Sequence, residues 1–184
     1  MKKAIGFIGS AVREVEPKKA KLARALGRIA AEKGFIVFSG ACPGYPLEAA
    51  RGAKEAGATV IGISPAQNFE MHTKEWKYPT EEFDSIVFTG MGRARNFLLV
   101  RACDALVVLE GRVGTLNEIT CAYDEGKIIA VMEGMGGIAS HMRELKKWFS
   151  DSGKNTGAQI IFAKKPEELI GKIERLLSQK RKQA

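Results

Sequence analysis

Little in this chain suits a metal centre, a nucleophilic triad or a membrane. Its 184 residues include two histidines, His72 and His141, far apart, and three cysteines, Cys42, Cys103 and Cys121, with no metal-ligand spacing. So few parts assemble neither a metal site nor a Ser-His-Asp triad. An odd number of unpatterned thiols reads as reduced cysteine in a reducing compartment. Cys103 and Cys121, among apolar helical neighbours, are expected in the core, whereas Cys42 falls in a turn after a strand. No apolar run approaches the roughly 20 residues that a membrane span requires. Met1, Lys2 and Lys3 imitate the start of a signal peptide, but the apolar run behind them covers only residues 4–8 and stops at Gly9 and Ser10. A cytoplasmic protein with no metal and no membrane partner is expected. Internal repeats and low-complexity segments are also missing.

What is present fits one soluble domain. Hydrophobic residues make up 45% and charged residues 27% of the chain, and its length is enough to bury a full core. The net charge is +8, from 29 basic against 21 acidic residues. Most basic side chains lie beside acidic ones on helices, apart from Lys180, Arg181 and Lys182 near the end. Basic runs are not interleaved with aromatics and no recognition motif appears, so nucleic acid is not expected as a partner. Attraction for anionic metabolites remains.

Apolar runs of strand length alternate with amphipathic stretches. Strands are expected over 4–8, 35–38, 59–63, 85–88, 105–109, 128–132 and 160–163. Helices are expected between them, one opening at Pro17, one over 45–56, one over 138–149 and the last from Pro166. This alternation implies an α/β fold, a Rossmann-like doubly wound, mainly parallel sheet of about seven strands in a single domain. The domain spans residues 1–177, with 178–184 as a basic tail expected to fray. Residues 64–84 have no clear periodicity. A loop that long in a compact domain is usually functional or mobile, and its Trp76 and Tyr78 either stack on a flat ligand or pin the loop to the body.

Residues 88–118 organise the rest. They contain two strand-to-helix passages, and at each the free N–H groups of a first helical turn converge on one edge, where anions bind. Parallel sheets take ligands outside the carboxyl ends of their strands. Gly9 and Ser10, the loop from Gly40 to Gly44, the turn of Gly90 and Gly92, Arg93 and Arg95, and the turn from Gly111 to Glu118 all follow strands. They therefore share that edge. Phe97, Leu98, Arg101 and Ala102 recur at helical spacing.

The residues Gly9-Ser10, Ser39-Gly40, Pro43-Gly44, Thr89 to Gly92 with Arg95-Asn96, and Gly111 to Glu118 resemble the Lonely Guy (LOG) superfamily, some of whose members carry the label lysine decarboxylase. The similarity covers about residues 4–149. It implies a dimer that hydrolyses the N-glycosidic bond of nucleoside 5′-monophosphates, releasing base and ribose 5-phosphate. The family's signatures are an Arg-Lys pair on a helix and Pro-Gly-Gly-x-Gly-Thr-x-x-Glu. Position by position, its arginine falls on Arg95 and its glutamate on Glu118, the implied catalytic pair. Asn96 stands for the lysine, Glu110 for the proline and Arg112 for the second glycine. In these departures the chain is more similar to a LOG-like branch that includes molybdenum cofactor carrier proteins, which bind a phosphorylated pterin without transforming it. No lysine stands out as a pyridoxal phosphate site.

The resemblance implies a small phosphorylated ligand bound by Gly9, Ser10, Gly40, Gly44, Gly90, Gly92, Arg95, Asn96, Gly111, Arg112, Gly114 and Thr115. No cofactor is required, and a molybdenum cofactor is a possible bound ligand. A homodimer is implied on the same ground. Three choices stay open. Thr115 and Glu118 have the spacing of a capping box, which would make Glu118 a helix cap. Arg95 beside a helix N-terminus needs an anion, either a bound phosphate or a neighbouring carboxylate. Glu110 is available either as a second carboxylate or as a partner for Arg112.

Overall fold

The structure, a computed structural model, describes residues 1–151 and 153–183, with side chains to residue 179. Its elements are β1 (Ala4–Gly9), α1 (Pro17–Glu32), β2 (Ile36–Ser39), α2 (Tyr45–Glu55), β3 (Val60–Ser64), β4 (Ser85–Phe88), α3 (Arg95–Ala102), β5 (Ala105–Leu109), α4 (Val113–Asp124), β6 (Ile128–Met132), α5 (Met142–Asp151), β7 (Gln159–Ala163) and α6 (Pro166–Gln183). The seven strands form one sheet in the order β4-β3-β2-β1-β5-β6-β7. Every neighbouring pair is parallel. Helices flank the sheet, and the fold is α/β and Rossmann-like. The chain winds outward from β1 to β4 and then returns to place β5 on β1's other side. Gly9 pairs in register with Leu109, so the loops after β1 and β5 diverge to opposite faces at this point. A crevice opens there, outside the carboxyl ends.

Burial follows from the topology. All residues of β5 and β6 are buried, as expected of central parallel strands covered on both faces. Edge strand β4 instead alternates between exposed and half-buried positions.

In α3, Leu99 and Val100 fill the core while Phe97 and Leu98 stand outward, 46% and 40% exposed. The helix is only eight residues long, too short for its apolar residues to declare a face by periodicity alone. Cys103 is buried as expected, but Cys121 is only half-buried. The stretch expected as one helix over 138–149 is a 3-10 turn, Gly137–His141, followed by α5. The backbone of α6 remains helical to Gln183, past Leu177 where its apolar stripe ends; the side chains of the basic cluster at 180–182 lie outside the described residues.

Residues 64–84 are ordered around His72. This ring is fully buried inside a π-helical turn, Met71–Glu75. Its Nδ1 lies 2.9 Å from the Ser64 hydroxyl and its Nε2 3.0 Å from the Pro79 carbonyl. Tyr78 and Phe88 pack edge-on against it, with ring centroids at 5.5 and 5.6 Å. His72, with Tyr78 and Phe88 against it, thus holds the loop to the body, while Trp76 packs beside Tyr78.

Candidate functional site

At the carboxyl edge lies a cleft of about 540 Å³. Its walls include Gly9, Ser10, Gly92, Arg95, Asn96, Arg112, Gly114, Thr115 and Glu118, nine of the positions singled out from sequence. Gly40, Gly44, Gly90 and Gly111 are not among the lining residues and shape the cleft from behind. A Cβ on Gly40 would lie 2.3 Å from Arg95 Nη2, so this glycine makes room for the guanidinium. Gly44 adopts φ 111°, and a Cβ there would sit 1.9 Å from the Ser10 carbonyl. Gly111 has φ 104°, with Thr115 packed where a side chain would go. Gly90 turns the chain after β4 at φ 64°. Among the described residues, the non-glycine positive-φ positions are Ala41, Lys77 and Glu110; Ala41 and Glu110 follow β2 and β5 at this same edge. Backbone strain of that kind costs on the order of 1 kcal/mol or more and collects where structure serves a site.

Arg95 is the first residue of α3 and is buried, as are Asn96 and Glu118. Its Nη1 donates to Asn96 Oδ1 at 2.7 Å and to Glu118 Oε1 at 3.1 Å. Nη2 lies 3.9 Å from Cys42 Sγ. Buried Nε has no partner among the described residues. Asn96 Nδ2 completes the link by donating to Asn117 Oδ1 at 3.0 Å on α4. The anion beside Arg95 is therefore the Glu118 carboxylate, and α3 is tied to α4 through it.

This geometry removes the capping reading of Glu118. Helix α4 begins at Val113, two residues before Thr115, and no side chain caps it. Both Thr115 and Glu118 sit inside the helix, where a capping box cannot form. Burial is the larger influence on Glu118 and pushes its carboxyl from an ordinary 4.5 up to about 7, against the downward pull of the Arg95 guanidinium. A carboxyl balanced near neutrality can hold or release a proton at physiological pH. Burial likewise pushes the Cys42 thiol up, so it stays protonated beside Arg95.

Glu110 neither pairs with Arg112 nor lines the cleft; its carboxylate faces Lys19 Nζ at 3.7 Å. Exposed Arg93 and Arg112 form no ion pair among the described residues and both line the cleft, Arg112 directly before the uncapped start of α4. Cys42, in the loop from Gly40 to Gly44, and Tyr78, one of the two rings weighed as stacking on a ligand, also line the cleft, as do Ala11, Pro65 and Val113, which sequence reasoning did not assign there. An aromatic in a long aperiodic loop was the available signal for Tyr78. For Val113 there was none, because an exposed valine opening a helix looks like any other. Among the described residues no group of three or more His, Cys, Asp or Glu is placed to hold a metal ion, and no helix is long and apolar enough to cross a membrane.

A model of the SLOG cluster4 family matches residues 2–170 of the chain. An uncharacterized protein of Archaeoglobus fulgidus is 35% identical over 138 residues, covering 71% of this chain and 84% of that protein. The molybdenum cofactor binding protein of Rippkaea orientalis superposes with a TM-score of 0.79 at 25% identity, over 96% of this chain and 98% of its own. The molybdenum cofactor carrier protein of Chlamydomonas reinhardtii gives a TM-score of 0.75 at 26% identity, over 97% and 99%.

Proposed function

The chain belongs to the SLOG cluster4 family, and from that membership we propose that it binds a small phosphorylated, nucleotide-like ligand at the carboxyl edge and carries it unchanged. The observation that carries this reading is the charge left over in the cleft. Glu118, the one acidic residue lining it, is engaged by Arg95, while Arg93 and Arg112 have no ion-pair partner among the described residues. Arg112 immediately precedes the first turn of α4, whose N–H groups have no side-chain cap, and Arg93 lines the same cleft. Guanidinium groups with a helix N-terminus form a ready receptor for phosphate. In this reading Arg112, Gly114 and Thr115 hold the phosphate, with Gly9, Ser10 and Gly92 approaching the ligand through backbone. The Arg95–Asn96–Glu118 cluster forms the floor. Solved structures similar to this one include proteins that bind or carry the molybdenum cofactor, which makes a phosphorylated pterin one candidate ligand beside nucleoside monophosphates.

The test is calorimetry with nucleoside 5′-monophosphates and a pterin phosphate. Arg112→Ala and Arg93→Ala are the informative variants, because both side chains are exposed and their loss leaves the core intact. Each should weaken binding by about tenfold, in line with the loss of one charge-assisted contact. Wild-type affinity in both variants refutes the assignment.

One observation favours a second reading, hydrolysis of the N-glycosidic bond. Glu118, with its carboxyl pushed up to about 7, is suited to general acid–base work. Glycoside hydrolysis usually employs two carboxylates. Glu110, the other candidate, is turned to Lys19 outside the cleft. We therefore hold to binding without turnover. Family resemblance also implies a homodimer, for which the outward face of α3, with Phe97 and Leu98, is the fitting surface.

A further inference from the structure

Beside the cleft lies a second hollow of about 480 Å³, lined by Arg13, Pro65, Glu75, Trp76, Tyr78, Gly92 and Arg93. Pro65, Tyr78, Gly92 and Arg93 line both spaces, so the two adjoin along a shared wall. The first already falls within the size range that encloses a small ligand. The second is additional and shallower, open to solvent along its outer side. Trp76 and Tyr78 are both half-buried, with ring centroids at 5.5 Å and planes tilted by 59°, and they form an aromatic wall.

Cationic side chains accompany this wall. Arg13 Nη2 donates to the Trp76 carbonyl at 3.1 Å, which fixes the guanidinium beside the rings while its other N–H groups remain available. Arg93 closes the shared side. Glu75 is the one carboxylate lining the hollow, set against these two arginines. The wall itself is held from behind, since Tyr78 packs on buried His72, which bonds to Ser64 and Pro79. A flat ring placed there meets aromatic faces and guanidinium planes together, the combination that recognises nucleobases and similar heterocycles without reading their edges.

We propose that the ligand extends across both hollows: a dinucleotide-like compound, with one phosphate-bearing half in the cleft at α4 and a second ring system, joined through a diphosphate, against Trp76, Tyr78 and Arg13. This rests on the phosphate-binding reading of the first cleft. Arg93, standing on the shared wall, then lies beside the diphosphate bridge and serves both halves. Trp76 and Arg13 line the second hollow and not the cleft, so they set the preference for the longer ligand and leave the shorter one unaffected.

Calorimetry on the full chain tests this, using the four common nucleoside 5′-monophosphates and their symmetrical dinucleoside diphosphates as probes. In the wild type at least one dinucleotide should bind about tenfold or more tightly than its mononucleotide, the gain expected of one well-stacked ring. That preference should vanish in Arg13→Ala and in Trp76→Ala, with mononucleotide affinity unchanged. Arg13 is exposed, so its variant remains informative even if loss of Trp76 loosens the loop. Equal affinity for the two ligand lengths, or a preference that survives both variants, overturns the inference and leaves the phosphate site standing. No binding by any probe overturns the inference and the phosphate-site reading together.

Discussion

Arg95 and Glu118 show most plainly what one-dimensional reading can reach. Both were legible as functional candidates, because each stands at a strand-to-helix passage where anions gather. What they do to each other was not. They are 23 residues apart, and only the packing of α3 on α4 brings the guanidinium to 3.1 Å from the carboxylate. Local spacing also allowed a capping box, since Thr115 and Glu118 have the right interval whichever residue opens the helix. The start of α4 at Val113 decided it. A pair this deeply buried is costly to break, about 3–5 kcal/mol for removing one partner, so variants at Arg95 report on folding before binding. Glu118 makes a cleaner pH prediction. Its folded carboxyl titrates at about 7 against an ordinary 4.5, so the fold favours the protonated form. The resulting stability is fully present below about pH 4.5 and is lost as pH rises through about 7, roughly 3 kcal/mol over that window. Thermal melts should therefore show Tm falling between pH 5 and 8 in the wild type, with a shallower fall in Glu118→Gln. Equal slopes would mean that the carboxyl is not held up by burial.

Among the elements, strands were read most reliably. Central parallel strands are continuous apolar runs, and the runs at 105–109 and 128–132 coincide with β5 and β6. Short helices were less legible. In α3 four successive residues, from Phe97 to Val100, are apolar, and nothing local says which two face inward. The sheet decides by accepting Leu99 and Val100. Met91, 49% exposed, and Val113, 78% exposed, are apolar and outward as well. Such exposure suits contact with a second copy of the chain. Sedimentation at micromolar concentration should give a dimer for the wild type and a monomer for Leu98→Glu, because a charge on that face would be desolvated on association. A wild-type monomer, or a dimer unchanged by the substitution, would place the contact elsewhere or remove it. The loop between β3 and β4 was legible only as aperiodic. Its order comes from one buried histidine whose two ring nitrogens find partners at Ser64 and Pro79, contacts that exist only once the strand ends are in place.

At the scale of the whole molecule, the position of the site follows from strand order. With β5 returning to pair with β1, two loops part over a crevice, and residues from positions 9 to 118 meet there. Convergence of several weak signals on one edge was readable from the alternation of strands and helices alone. The division of labour within the cleft needed coordinates: Arg95 is committed to Glu118, while Arg93 and Arg112 have no ion-pair partner among the described residues. Binding without turnover is the consequence drawn from that division. A hydrolase must position the scissile bond closely, and displacement of about 1 Å can cost on the order of a hundredfold in rate. This chain has Asn96, Glu110 and Arg112 where the resembling hydrolases have lysine, proline and glycine. Phosphate affinity tolerates such exchanges better than catalysis does. The most direct measurement incubates the purified protein with each nucleoside 5′-monophosphate, then releases the bound material and separates it by chromatography. The account predicts that the phosphorylated compound is recovered intact. Free base and ribose 5-phosphate appearing with the wild type, and disappearing in Glu118→Ala, would contradict it.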